Sequence, residues 1–143
     1  MGKKLRRTEL REAAFLILFR VDFYPPEELE AQVKDFFEGE DAFSEEERQM
    51  VADKVMAVAR MADEIDAALD EVSVGWKTKR MTKVDLTILR LAYYEMKYDD
   101  DVPVSSAINE AVELAKNYGT ENSSSFVNGI LAKVAKNGSD LQC

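Results

Sequence analysis

Apolar residues recur along most of the chain at intervals of three and four positions, which is the period of an amphipathic α-helix. The first such stretch runs from Thr8 to about Tyr24. Pro25-Pro26 ends it, because proline cannot continue a helix. The apolar stripe of this stretch is formed by Leu10, Ala14, Ile17 and Val21. The pattern therefore predicts a long N-terminal helix.

Two further helices are predicted in the first half of the chain. Residues 29–37 form a short apolar face, and Gly39 closes it. Ser44-Glu45-Glu46-Glu47 has the spacing of a capping box, in which the serine and the last glutamate each accept a hydrogen bond from the other's backbone. The helical pattern that begins there continues to about Val74, and its length predicts a break near Arg60.

The remaining helices follow a seam at Ser73–Met81, where a glycine, the only tryptophan and three basic residues interrupt the pattern. Thr82–Asp85 offers a cap for the next helix, which Asp99–Asp101 ends. Two more helices are predicted, with Gly119 and Gly138 just past their C-termini. Since no segment alternates at period two, the sequence predicts an all-α fold.

The residues that usually carry chemistry exclude several classes of enzyme. The chain has 143 residues and no histidine, which excludes zinc-protease, Ser-His, Cys-His and Glu-x-x-His di-iron sites. Its one cysteine, Cys143, allows neither an internal disulfide nor a CxxC site. With no phosphate-binding loop or dinucleotide fingerprint, we expect no catalytic residue, no cofactor and no metal. Acids at helical solvent-face positions are expected to be solvated: Glu45, Glu46, Glu47, Asp63, Asp66 and Asp70.

The longest uninterrupted apolar run is Ala13–Phe19. It is far shorter than the ~20 residues of a membrane span, and no signal-peptide cleavage site follows it. We therefore expect a cytoplasmic protein without a membrane contact.

Charge is distributed unevenly along the chain. The net charge is -9, but residues 1–11 sum to +4, residues 22–71 to -13 and residues 77–90 to +4. An acidic protein with two basic stretches suits one that touches a polyanion at one face. Basic residues that only solubilise helix ends are the alternative.

The basic N-terminal stretch is a candidate phosphate-binding surface. Arg7 and Arg11 lie four positions apart and share a helix face, which Lys4 continues, and we place this face opposite the apolar stripe. Such an array contacts phosphates without choosing a sequence. A candidate reader of unpaired bases is the polar stretch 121–126, which ends in Phe126. Core packing of Phe126 and helix capping by the serines are the alternatives.

Three strings of residues, taken in order, are specific to a known family. They are Trp76-x3-Arg80-x4-Asp85-x2-Ile88-Leu89-Arg90, then Ile-Asn-Glu-Ala-Val-Glu-Leu-Ala-Lys at 108–116, then Ser-Phe-Val-Asn-Gly-Ile-Leu at 125–131. With these strings, and with its basic N-terminal helix, the chain resembles the NusB family of transcription antitermination factors over nearly its whole length.

The resemblance implies an all-α fold of about seven helices in one NusB-like RNA-binding domain, with two packed sub-bundles at about 1–75 and 76–137 and a polar tail at 138–143. It also implies binding of the boxA element of nascent transcripts together with NusE, a small-subunit ribosomal protein. The RNA is thereby tethered to RNA polymerase within an antitermination complex. Such an adaptor is not an enzyme, and a homodimer is left open.

The resemblance also implies which residues bind. The RNA-binding residues are Lys4, Arg6, Arg7, Arg11, Asn122, Ser123, Ser124 and Phe126. The residues that contact NusE are Asp85, Tyr94 and Glu95, and helix capping is an equal alternative for Asp85. Relatives often have an acid where Asn122 stands. Other residues that carry the resemblance are expected in the core: Trp76, Ile88, Leu89, Val112 and Leu131.

Two other functions are considered. One is a non-enzymatic helical module that docks on an acidic protein without sequence-specific RNA binding. The other is the NusB-like domain fused to RNA cytosine methyltransferases. That reading requires a nucleophilic cysteine and a catalytic domain, which 143 residues with one terminal cysteine do not accommodate.

Overall fold

The computed structural model describes the backbone of residues 2–142 and the side chains of residues 7–137. Over this part of the chain the backbone forms seven α-helices and two short 3-10 helices, Pro26–Glu28 and Thr78–Arg80, and no strand. The α-helices are α1 (Gly2–Val21), α2 (Leu29–Phe37), α3 (Glu45–Arg60), α4 (Ala62–Val72), α5 (Lys83–Tyr98), α6 (Val104–Tyr118) and α7 (Ser123–Gln142). The all-α fold expected from the sequence is confirmed.

Residues Met1–Arg60 form one compact unit, in which α1 packs against α2 and α3. The capping box predicted at the start of α3 is present. The backbone N–H of Glu47 donates to Ser44 Oγ (3.1 Å), and that of Ser44 donates to Glu47 Oε1 (2.8 Å). Gly39 follows α2 with a φ of 77°, which a glycine adopts without steric cost. The core of this unit is built from Phe15, Ile17, Val33, Phe37, Val51, Val55 and Val58.

Residues Met61–Cys143 form the second compact unit. Within it α6 packs against α5 and α7, and α4 packs against α5 and α7. The predicted core positions Ile88, Leu89 and Leu131 are fully buried, whereas Val112 is half-buried. Other large apolar residues of this core that are fully buried are Ile65, Leu69, Leu91 and Val127, and Met81, Leu86, Leu114, Ile130 and Val134 are buried as well.

The predicted break near Arg60 is confirmed, because α3 ends at Arg60 and α4 begins at Ala62. The division between the two units falls at the same point, whereas the sequence predicts that the sub-bundles meet at the seam Ser73–Met81. Helix α4 belongs to the second unit because Ile65 and Leu69 are fully buried and the helix packs on α5 and α7. The seam is therefore a connection inside the second unit.

Two glycines have a role other than the predicted one. Gly138 does not end α7 but lies inside it, because the helix continues to Gln142. A helix interior tolerates an isolated glycine. Gly119 caps α6 with an extended backbone (φ -96°, ψ -164°) rather than a left-handed one. A Cβ at Gly119 would lie 2.4 Å from Ser123 Oγ and 2.5 Å from Ser123 Cβ. Glycine is thus required here because the start of α7 approaches the end of α6 closely.

We expect Gly119→Ala to lower the free energy of unfolding by about 1–3 kcal/mol, the usual cost of overpacking. The added methyl group would also lie 2.8 Å from the backbone oxygen of Ala115, which cannot swing aside as a side chain can. Urea denaturation followed by circular dichroism measures the change.

Gly129→Ala is the matched control, because a Cβ at Gly129 would meet no atom within 4 Å. Alanine inside α7 should raise the free energy of unfolding by roughly 0.5–1 kcal/mol. Equal destabilisation by both substitutions would contradict the close approach at Gly119.

Candidate nucleic-acid interface

The first group of predicted RNA-binding residues lies near the start of α1. Arg7 is exposed and Arg11 is half-buried, and the two lie about one turn apart on the same side of the helix. The side chains of Lys4 and Arg6 lie outside the described residues. The described part of this surface is therefore a pair of guanidinium groups in the first unit.

The two arginines are not opposite the apolar stripe, as the sequence had predicted. With about 100° per residue, the buried Leu18 lies almost on the line of Arg7 and Arg11 along α1. Within Ala13–Leu18 all residues except Leu16 are buried, so this section of the helix has no polar face. Arg7 is exposed because it precedes the buried section of the helix.

The last cation of the second basic stretch is engaged inside the second unit. Arg90 Nη2 and Nε lie 2.6 Å and 2.8 Å from the two carboxylate oxygens of Asp66. Both side chains are largely buried, and two parallel hydrogen bonds make this the stronger geometry for such a pair. The prediction that Asp66 is merely solvated is wrong, and Arg90 serves the packing of α4 against α5.

A carboxylate on α4 fixes the connection that leads to α5. Asp70 accepts hydrogen bonds from the backbone N–H of Thr78 (2.7 Å) and from its hydroxyl (3.2 Å). In the same connection Ser73 Oγ donates to the carbonyl oxygen of Trp76. Asp70 is therefore a structural residue, and not the solvated acid that its helical position predicts.

Trp76 is 46% exposed, so the prediction that it belongs to the core is wrong. The guanidinium of Arg80 lies 5.1 Å from the centre of its ring, within the range of a cation–π contact. The periodicity of α5 does not extend to Trp76, because Trp76 precedes the helix. The connection thus presents an aromatic surface and a cation side by side.

The second group of predicted RNA-binding residues lies at the start of α7. Ser123 is only 2% exposed, and its Oγ accepts a hydrogen bond from the backbone N–H of Thr120 (2.9 Å). Ser123 therefore shapes the turn into α7. Asn122 is exposed, and Ser124 and Phe126 are half-buried.

One pocket of about 620 Å³ in the second unit joins residues that the sequence assigned to separate roles. Asn122, Ser123 and Phe126 line it from the start of α7, Asp85 from α5, and Trp76 from the connection before α5. Ser124 is not among its lining residues. Its volume is in the range of small-molecule sites, and its lining combines aromatic rings with a few polar groups.

Asp85 lies in the first turn of α5 and is 9% exposed. Its backbone N–H donates to Thr82 Oγ1 (3.1 Å), so the predicted cap is formed by the backbone of Asp85 and the side chain of Thr82. Its carboxylate oxygen Oδ1 is buried and has no hydrogen-bond partner among the described residues. A buried acceptor without a donor costs about 1–3 kcal/mol.

Tyr94 and Glu95 lie elsewhere on α5. Tyr94 is half-buried, with its ring 5.6 Å from the ring of the exposed Tyr98. Glu95 is 1% exposed, so it offers no surface to a partner. Tyr94 follows Asp85 by nine residues, which is about half a turn around the helix and about 13 Å along it. Asp85 and Tyr94 therefore cannot belong to one small contact patch.

The described residues contain neither a membrane-spanning helix nor a cluster of metal ligands. No helix in this part of the chain has the length and hydropathy needed to cross a membrane. The described side chains include no group of three or more His, Cys, Asp and Glu that could hold a metal ion.

Clustered cations and exposed aromatic rings are features of nucleic-acid-binding proteins, and this all-α fold has arginines near the start of α1 and an aromatic, partly basic pocket in its second unit. The model of the NusB family matches residues 8–136. The chain belongs to the NusB family.

Relatives and solved structures agree with this assignment. The transcription antitermination protein NusB of Agathobacter rectalis is 49% identical over 131 residues, which cover 92% of this chain and 100% of that protein. The structure of T. maritima NusB superposes with a TM-score of 0.83 at 34% identity, covering 91% of this chain and 90% of that one. A structure of the antitermination factors NusB and NusE in complex with dsRNA has a TM-score of 0.79 at 26% identity, covering 96% and 99%.

We expect Asp70→Ala to loosen the connection that carries Trp76, because two donors of Thr78 lose their acceptor. The emission of this single tryptophan should shift to longer wavelength and be quenched more strongly by acrylamide. The free energy of unfolding should fall by about 1–3 kcal/mol.

Asp63→Ala is the control, since Asp63 is an exposed acid on the same helix. It should leave both quenching and stability nearly unchanged. Quenching of Trp76 in Asp70→Ala equal to that in the parent protein would show that the connection is held by other contacts.

Proposed function

We propose that this chain binds boxA RNA together with NusE and holds that RNA on elongating RNA polymerase, so that transcription continues past terminators. The chain acts by binding alone, without a chemical step, and it does so in the cytoplasm, where nascent RNA and polymerase meet. The observation that carries the proposal is membership of the NusB family over residues 8–136. The likeness to a NusB that was solved with NusE and dsRNA supports it.

The start of α1 supplies the phosphate contacts in this proposal. Arg7 is exposed, and Arg11 lies about one turn further on the same side. Lys4 and Arg6 extend the same basic segment along the sequence. Guanidinium groups bind phosphate without regard to base identity, so this surface contributes affinity and salt dependence.

The pocket of the second unit supplies the contacts to bases. Asn122 is exposed at its edge, and the ring of Phe126 lines it. Unpaired bases stack on aromatic rings and bond through their edges to amides and hydroxyls. Ser123 contributes by fixing the turn, and Ser124 adds a hydroxyl on the neighbouring face of α7.

The contact with NusE is centred on Tyr94 in this proposal. Tyr94 and the exposed Tyr98 form an aromatic pair near the end of α5, and aromatic residues are enriched at protein interfaces. Glu95 is buried in the core, so it is not part of the proposed contact surface. Asp85 lines the pocket with Asn122 and Phe126, so its surroundings favour a contact with RNA over a contact with NusE.

The double variant Arg7→Ala with Arg11→Ala should weaken binding to boxA and to scrambled RNA alike. Removing two phosphate contacts reduces the slope of log affinity against log salt by roughly one to two units. Fluorescence anisotropy with labelled RNA at two salt concentrations, with and without NusE, measures both effects.

Lys34→Ala with Arg60→Ala is the matched control, because it removes two exposed cations from the same unit but not from α1. It should leave the salt slope close to that of the parent protein. If the double arginine variant binds RNA as tightly as the parent at low salt, the start of α1 does not contact phosphate. Equal affinity of the parent for boxA and scrambled RNA would favour the protein-interaction module instead.

Asn122→Asp should weaken RNA binding, because it places a negative charge at the edge of the pocket that faces phosphate. One unit charge a few ångströms away changes the binding free energy by about 1 kcal/mol in a water-like dielectric, which is roughly five-fold in affinity. The same titration measures this effect. Glu121→Gln removes an adjacent exposed charge and should change affinity in the opposite sense. Unchanged affinity of Asn122→Asp would count against this placement of the RNA.

A further inference from the structure

The pocket of the second unit contains a buried acceptor that the protein leaves unused. Asp85 lines the pocket, is nine-tenths buried and has no partner for Oδ1 among the described residues. Native proteins satisfy most buried polar atoms, so Oδ1 is an acceptor that a donor on a ligand can satisfy. The Cβ–Cγ torsion of an aspartate is broad, so the carboxylate can turn until both of its oxygens face a ligand in the pocket.

The other charges of the pocket decide which kind of donor this is. Arg80 and Lys133 both line it. These two cations repel a lysine or arginine of a protein partner, and they attract a ligand that combines N–H donors with a negative charge. A nucleotide has that combination, because its base donates while its phosphate is anionic.

The aromatic lining fits the flat face of a base. Trp76 is 46% exposed, and Phe126 lines the same pocket. Base stacking on such rings tolerates every base, so it does not by itself select one. The selective group is the carboxylate, which accepts hydrogen bonds and offers none when ionised.

We propose that this pocket binds one unpaired guanine of the RNA, whose ring N1–H and exocyclic N2–H donate to the carboxylate of Asp85. Among the four RNA bases, only guanine presents two adjacent donors on its Watson–Crick edge, which match the two oxygens of a carboxylate. The aromatic rings of Trp76 and Phe126 cover the face of the base. The inference rests on the proposed function and names the base that its pocket reads.

Gly129 is a second, independent sign of a ligand at this place. It lines the pocket from the interior of α7, where glycine is less favourable than alanine. Among the described residues no atom requires it, because a Cβ there would meet none of them within 4 Å. A glycine that the fold does not need leaves room for the close approach of a ligand.

The experiment compares three nine-residue RNAs in which the central residue of an oligo-U strand is guanine, inosine or uracil. Inosine differs from guanine only by lacking the N2 amino group. The complete protein should bind the guanine strand about ten-fold more tightly than the inosine strand, because inosine keeps only one of the two hydrogen bonds to the charged carboxylate. In Asp85→Asn the two strands should bind within about two-fold, because the amide has one acceptor oxygen in place of two.

Asp63→Asn is the matched control, since it neutralises an exposed acid of the same unit outside the pocket. It should keep the preference of the parent protein for guanine over inosine. Gly129→Ala should reduce the affinity for the guanine strand while raising the stability of the fold. Lower affinity together with higher stability would show that the variant has lost room for the ligand and has kept its fold.

Equal binding of the guanine and inosine strands by the parent protein would overturn the inference. So would an Asp85→Asn variant that keeps the preference for guanine, or one that loses only NusE binding in the absence of RNA, which would assign Asp85 to the protein partner. The comparison of boxA with scrambled RNA tests the proposed function separately. A preference for boxA without any preference for guanine over inosine retains the function and rejects the guanine pocket.

Discussion

The burial of the Asp85 carboxylate is the constraint on which the pocket of the second unit depends. A buried acceptor without a donor lowers stability by about 1–3 kcal/mol, and the first turn of α5 offsets part of that cost. Negative charge is favoured at a helix N-terminus. The side chain that caps α5 is that of Thr82, so the Asp85 carboxylate is not used as the cap. The acid can therefore lie in the first turn of α5 although its Oδ1 has no hydrogen-bond partner among the described residues. The connection before α5, which Asp70 holds, carries Trp76 to the lining of the same pocket.

Helical periodicity was sufficient to predict every helix of the fold, because each one buries a stripe that recurs at three and four positions. It was not sufficient to assign α4 to its unit, since the period of a stripe does not say which helix covers it. The same limit explains Asp66 and Asp70. Both occupy solvent-face positions of α4, yet partners outside that helix, Arg90 and Thr78, reach them. Trp76 was misplaced for a related reason, because it precedes α5 and no helical period applies to it.

The candidate site was predictable to a different degree in each unit. The start of α1 could be identified from charge alone, since five cations against one acid within residues 1–11 stand out in an acidic chain. The pocket could not, because Asp85 and Phe126 are far apart in sequence and only the packing of α5 and α7 brings them to one cavity. Ser123 shows the limit most clearly. A hydroxyl at a helix start predicts an exposed contact or a cap, whereas the close approach to Gly119 makes it part of the turn.

The net charge of -9 does not oppose RNA binding in the way that its sign suggests. At physiological ionic strength the Debye length is about 8 Å, so exposed acids beyond that distance contribute little to the potential at Arg7. Charge near the phosphate decides affinity. Charge elsewhere mainly affects the solubility of the protein and the rate at which RNA approaches it from a distance. In the proposed function, affinity and base selectivity depend on different residues, the cations of α1 for the first and the pocket for the second. A chain of this composition can therefore select an RNA without a strongly basic surface, provided that the few cations it has stand where the phosphate lies.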